Sequence, residues 1–191
     1  MTDGTRDPRD GELEQTATGR WALRFERDLP HPVEQVWQAV TEEAHLSVWF
    51  PTTIEGELRA GAALTFRFRG EELPPTSGEM VEYDPPRVIE FTWGFSEEDI
   101  DQPEQTRIEL TPTATGCRLT LISTYDRVGK SARDAAGWHV CLDLLAADLA
   151  GEEPGDHSPE RWRPLNRRYK EKFGPEAATI GPPDTMPEFQ E

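Results

Sequence analysis

In "GWHVCLDLLAADLAG" (137–151), Trp138, His139, Cys141 and Asp143 fall within six positions. An imidazole, a thiol and a carboxylate this close raise three chemistries: a Cys–His nucleophile pair, a metal site, or a histidine base oriented by a carboxylate. Helical geometry separates them. At about 100° per residue, Cys141 lies about 200° round from His139, so the two cannot come within the ~3 Å that base and nucleophile need. A helical zinc site needs i,i+4 ligands plus further Cys or His, and the chain has four His and two Cys in all. His139 and Asp143 are an i,i+4 pair. They read either as a helix surface pair worth roughly a few tenths of a kcal/mol or as a general base and its orienter at a pocket rim. No catalytic residue, metal ligand or cofactor site is assigned, and an enzyme is the less favoured reading.

The same helical wheel places Trp138, Cys141, Leu142, Leu145 and Leu149 on one stripe, with His139 at its edge and Asp143 further toward solvent. Ser131 reads as the N-cap and Gly151 as the C′ residue of a helix over about 131–150. Upstream, "RWALRFERDL" alternates as a strand, with Trp21, Leu23 and Phe25 on one face. In "PHPVEQVWQAVT", Pro32 suits a first helical position, and Val33, Val36, Trp37 and Val40 keep helical spacing. Thr41 is placed to cap a second short helix that ends before Pro51. Short strands follow: Leu64, Phe66 and Phe68 share a face, then Ile89, Phe91 and Trp93 after the Asp84-Pro85-Pro86 turn. Ile108 and Leu110 face the same way as Leu119 and Leu121 in a hairpin turning near Thr115-Gly116. Such alternation predicts an α+β fold: a curved antiparallel sheet of about six to seven strands, with one face covered by the long helix.

Residues 1–18 and the Pro-rich 174–191 lack the apolar content to offset ordering entropy, and read as disordered tails. Between 152 and 173, Trp162, Leu165, Tyr169 and Phe173 mark an extra amphipathic helix. It would cover Val140 and Leu144 on the same subunit, or pack across a dimer. Its Arg161, Arg163, Arg167, Arg168, Lys170 and Lys172 make a dense basic patch, read either as docking onto the acidic body or as a site for an acidic partner. A net charge of −17 argues against nucleic acid, whose affinity rests on Lys and Arg displacing counterions, and against anionic membranes. The two cysteines, both in apolar periodic segments, make no disulfide framework. With no signal-like or membrane-spanning apolar run, a cytoplasmic monomer or homodimer is the expectation.

The segments "LPHPVEQVWQAVTEEAHLSVWFP" (29–51), "GELRAGAALTFRF" (56–68), "GEMVEYDPPRVIEFTW" (78–93), "TRIELTPTATGCRLTLIST" (106–124) and "GWHVCLDLLAADLAG" (137–151) together resemble the START-like SRPBCC superfamily, the helix-grip fold. Within it the chain looks most like proteins homologous to the C-terminal domain of the activator of the 90-kDa heat-shock protein ATPase. That activator carries a separate N-terminal domain, where this sequence has the polar stretch 1–18. The resemblance covers about 20–151 and implies a helix-grip domain over 19–151. It also implies a cavity between sheet and long helix for an apolar or aromatic ligand. From the residues, Trp49, Phe50, Phe66, Phe68, Phe91, Trp93, Trp138, Cys141 and Leu145 would line it, with Tyr125 or His139 orienting the ligand. The space reads either as an open cavity or as a core filled by these side chains. Two other functions are consistent with the resemblance: a chaperone-associated interaction module, or a polyketide cyclase-like enzyme using His139, Asp143 and Tyr125.

Overall fold

The alternating segments pair into one antiparallel sheet in the computed structural model, which describes residues 7–69, 73–94, 103–153, 155–182 and 189. In chain order the elements are β1 (Glu12–Gln15), β2 (Trp21–Leu29), α1 (Val33–Thr41), α2 (Glu43–Trp49), β3 (Thr52–Gly56), β4 (Ala63–Phe68), β5 (Thr76–Asp84), β6 (Val88–Trp93), β7 (Glu104–Thr113), β8 (Gly116–Tyr125), α3 (Ser131–Leu149) and α4 (Pro159–Phe173). Single 3₁₀ turns stand at Val128–Lys130 and Pro175–Ala178. The sheet order is β1-β2-β8-β7-β6-β5-β4-β3, a meander from β3 to β8 closed by β2.

Strand alternation decides what lies inside. Leu23, Phe25 and Leu29 of β2, Ile108 and Leu110 of β7, and Cys117, Leu119 and Leu121 of β8 are all buried. Trp138, Cys141, Leu142, Leu145 and Leu149 of α3 join the same core, so the long helix is gripped as its apolar stripe requires. The outer face carries paired charges instead. Arg107 donates there to Glu82, Glu90 and Glu109 across three neighbouring strands.

Several expectations are corrected. Among the described residues the sheet has eight strands, not about six to seven, because β1 and β3 lie at its two edges and lack apolar alternation. Residues 1–18 are not simply a tail. Backbone pairing of Glu12–Gln15 with Trp21–Arg24 builds β1, and α4 holds the preceding residues from above; residues 1–6 lie outside those described. The 174–191 expectation is likewise too broad, since Ala177 is buried and Ile180 donates its N–H to the Gly129 carbonyl. Residues 183–188, 190 and 191 lie outside the described part. Ser131 is the first helical residue of α3, not its cap; its hydroxyl donates to the Val128 carbonyl. Pro32 precedes α1 as its cap, and Thr41 ends that helix, donating to the Trp37 carbonyl. Gly151 does take the positive φ of a C′ residue, +68°. The extra helix begins at Pro159 and lies on α3 of the same chain: Trp162 Nε1 donates to the Arg133 carbonyl, and Tyr169 is fully buried.

Candidate functional site

Beneath α3, where a ligand space was expected, aromatic side chains meet one another. Trp93 stacks on Phe50 at 5.6 Å between ring centroids, and lies 5.4 Å from Phe66, 6.0 Å from Phe91 and 5.8 Å from Trp138. Phe66 and Phe91 are 5.5 Å apart. These separations are those of rings in contact, so side chains occupy this volume. Trp49 packs edge-on to Phe50, and its Nε1 donates to the Ala39 carbonyl, tying α2 back to α1. Leu145 is buried in the same core, while Phe68 is half-buried at the end of β4.

A cavity of about 170 Å³ opens one element over, between the α1–α2 corner and β3, β5 and β6. Val40, Leu46, Ile54, Met80, Ile89 and Phe91 form apolar walls. Thr41 and Glu43 add polar atoms, and Leu58 on its wall is 39% exposed. Of the residues expected to line a ligand site, Phe91 alone is on this wall.

The polar candidates are placed apart from both regions. Tyr125 is buried and donates to Ser131 Oγ at 2.8 Å. Lys130 Nζ sits 4.8 Å from the Tyr125 ring centroid, and burial pushes the phenol well above its ordinary range. His139 is 1% exposed. It faces α4, where its Nδ1 lies 2.8 Å from Tyr169 Oη. Asp143 lies 3.6 Å from His139 Nε2, so the i,i+4 pair exists, but α4 and the N-terminal segment close over it. An imidazole so enclosed meets no substrate, and the general-base reading loses its pocket. Cys141 points to the core, and burial pushes its thiol up to about 12. Thiolate is the reactive form. Cys141 and Cys117, both buried, should therefore resist alkylation at about pH 8 in the native protein and react once it unfolds. Mass spectrometry of iodoacetamide-treated protein would check this, and fast native labelling would contradict the burial. Among the described residues no group of three or more His, Cys, Asp or Glu could hold a metal. No helix among them is long and apolar enough to cross a membrane.

The order of elements, the grip on α3 and the α1–α2 corner define a recognisable domain. A family model for activator of Hsp90 ATPase homolog 1-like proteins matches residues 30–150. The chain belongs to this family. AHSA1-like and helix-grip structures agree with it in fold. CalU16 from Micromonospora echinospora aligns with a TM-score of 0.67 at 23% identity, covering 90% of this chain and 96% of that one. A conserved protein of unknown function from Enterococcus faecalis aligns at 0.64 and 19% identity, covering 85% and 90%. The Aha1 dimer from Colwellia psychrerythraea aligns at 0.56 and 18% identity, covering 67% and 95%. At these identities the likeness is one of fold. Comparison with curated protein sequences gives no match.

Two groups in this AHSA1-like chain escaped the sequence reading. Arg27 and Glu104 are both buried and occupy inward phases of β2 and β7. The signal was there: Arg27 continues the Leu23–Phe25 face, and Glu104 extends the Ile108–Leu110 face backward. The contacts of Asp10 with Arg168 and of Gly11 with Tyr169 were hidden for another reason, since they form only when the N-terminal segment crosses α4. The AHSA1-like domain also uses part of the basic patch of α4 internally. Arg168 pairs with Asp10, and Lys172 with Glu12, which removes support from an acidic-partner reading of those two cations.

Proposed function

We propose that this AHSA1-like chain binds a small apolar or aromatic molecule, about one ring in size, in the cavity between α1–α2 and β3, β5 and β6. The cavity itself carries the reading. Its volume of about 170 Å³ is close to that of an engineered apolar cavity of roughly 150 Å³ that takes up benzene. Its walls are aliphatic and aromatic, so affinity comes from apolar area removed from water. A ring burying about 200 Å² at ~25 cal/mol per Å² gains roughly 5 kcal/mol before the cost of immobilising it, so the dissociation constant should lie above about 0.2 mM. Thr41 and Glu43 can orient a polar substituent.

Ile54 is half-buried on the edge strand β3, so Ile54→Trp should fill the cavity without rebuilding the core. Titration with toluene or indole, followed through methyl NMR shifts of Val40, Leu46 and Met80, should saturate in the parent and fail in the variant. Equal binding in both, or no shift of these methyls in the parent, rejects the site.

A further inference from the structure

The N-terminal segment lies over the seam between α3 and α4 and is held by polar contacts that converge on one histidine. The Gly11 N–H donates to Tyr169 Oη at 2.9 Å. Tyr169 Oη also lies 2.8 Å from His139 Nδ1. His139 Nε2 faces Asp143 at 3.6 Å. The segment thus closes over the imidazole through Tyr169 and leaves it 1% exposed. A charged ring in this place would lose nearly all of its hydration.

The groups facing this imidazole come from four elements. Asp10 of the N-terminal segment lies 3.8 Å from Nδ1. Arg9 and Asp7 stand behind it, joined to each other at 2.9 Å. Arg27 of β2 is buried, donates to the Arg9 carbonyl at 2.7 Å, and lies 3.7 Å from Asp143 of α3. Tyr169 and Arg168 come from α4, Arg168 pairing with Asp10. Phe25 seals the floor, its ring centroid 6.4 Å from that of His139. Phe25 also sits so close under Gly11 that a Cβ there would overlap its ring.

We propose that this contact is an acid-released latch: the Gly11–Tyr169 contact keeps His139 buried, and protonation of the ring favours the open form, freeing residues 7–15 from α3 and α4. The latch is independent of the cavity and of any ligand in it. Burial holds the closed-state imidazole down to about 4, Asp143 opposing and Arg27 and Arg9 adding to the effect. Once the segment lifts, His139 regains its ordinary value of about 6.5. The open form therefore takes up the proton first. The His139 contribution to closure is complete above about pH 6.5 and is lost as pH falls toward about 4.

Amide exchange on the full chain tests this. The protection factor of the Gly11 amide should fall up to about tenfold per pH unit below about pH 6.5, while those of Leu119 and Leu121 in β8 hold. In His139→Asn the side-chain amide stands in for Nδ1 beside Tyr169 but does not titrate, so Gly11 protection should stay level over the same range. Equal loss in parent and variant would assign the effect to Asp7, Asp10 or Glu12 and overturn the latch. Should the variant fold poorly, NMR titration of the His139 ring in the parent decides. Ring protonation coincident with loss of Gly11 protection supports the latch, and an imidazole still neutral after protection is lost refutes it.

Discussion

Trp138→Ala should lower stability by about 3–5 kcal/mol, the range for removing a large aromatic side chain from a packed core. Trp138 is 6% exposed and bridges α3 to the sheet through Trp93 at 5.8 Å and Phe50 at 6.0 Å. Alanine suits the helix interior, so backbone propensity adds no penalty and the loss reports packing. For a chain of this length the melting temperature should drop by roughly 6–20 °C. The variant would also open a ring-sized apolar void beneath α3, in the space a helix-grip ligand was expected to fill. Indole should then stabilise Trp138→Ala more than the parent in urea denaturation followed by circular dichroism. A loss under about 1 kcal/mol would mean that the rings around Trp138 collapse freely into the gap. No differential effect of indole would mean that the void closes.

The second large effect is electrostatic. Lys130 and Glu104 form a buried ion pair, with Asp134 a further 3.6 Å from the ammonium and the Tyr125 ring beneath it. Removing one member leaves the other buried without its closest countercharge, and breaking a buried pair typically destabilises by about 3–5 kcal/mol. Glu104→Leu and Lys130→Met should each fall in that range. The double variant should recover most of the loss, because two apolar side chains of similar volume replace a pair whose attraction mainly offsets its own desolvation. Chemical denaturation of the four proteins gives the coupling directly. Additive losses would show that the two charges do not depend on each other.

These two sites differ in how they could be read from the sequence. Trp138, Phe66, Phe91 and Trp93 were legible as core because each repeats with the period of its own element. That they pack ring on ring was not, since periodicity gives the face but not the separation of opposing faces. Lys130 and Glu104 had no such signal as a pair, being joined only when β7 is laid beside the 3₁₀ turn before α3. His139 reads either as half of a helix surface pair or as a group at a pocket rim because the wheel knows one helix. Its fate was set by α4 and by residues 7–15, whose polarity read as disorder although their partners are charged and waiting on another element. The cavity was missed by one step for a related reason. The spacing of Val36, Trp37 and Val40 predicts a helix there, but not that the α1–α2 corner leaves a gap against β5 and β6 that Phe91 touches from the sheet side.

The pairing of β2 with β8, Leu29 beside Cys117 and Trp21 beside Tyr125, also dictates when the domain can form during synthesis. Roughly 90 residues separate Leu29 from Cys117, and at about 5–20 residues per second on the ribosome β2 waits some 5–20 s for its partner. Until β8 emerges, β3 to β7 can assemble only as a meander with one raw edge, and the apolar phase of β2 is uncovered. Closing so long a loop is slow relative to local pairing. The apolar face of β2 thus stays without its partner strand until most of the domain has been made.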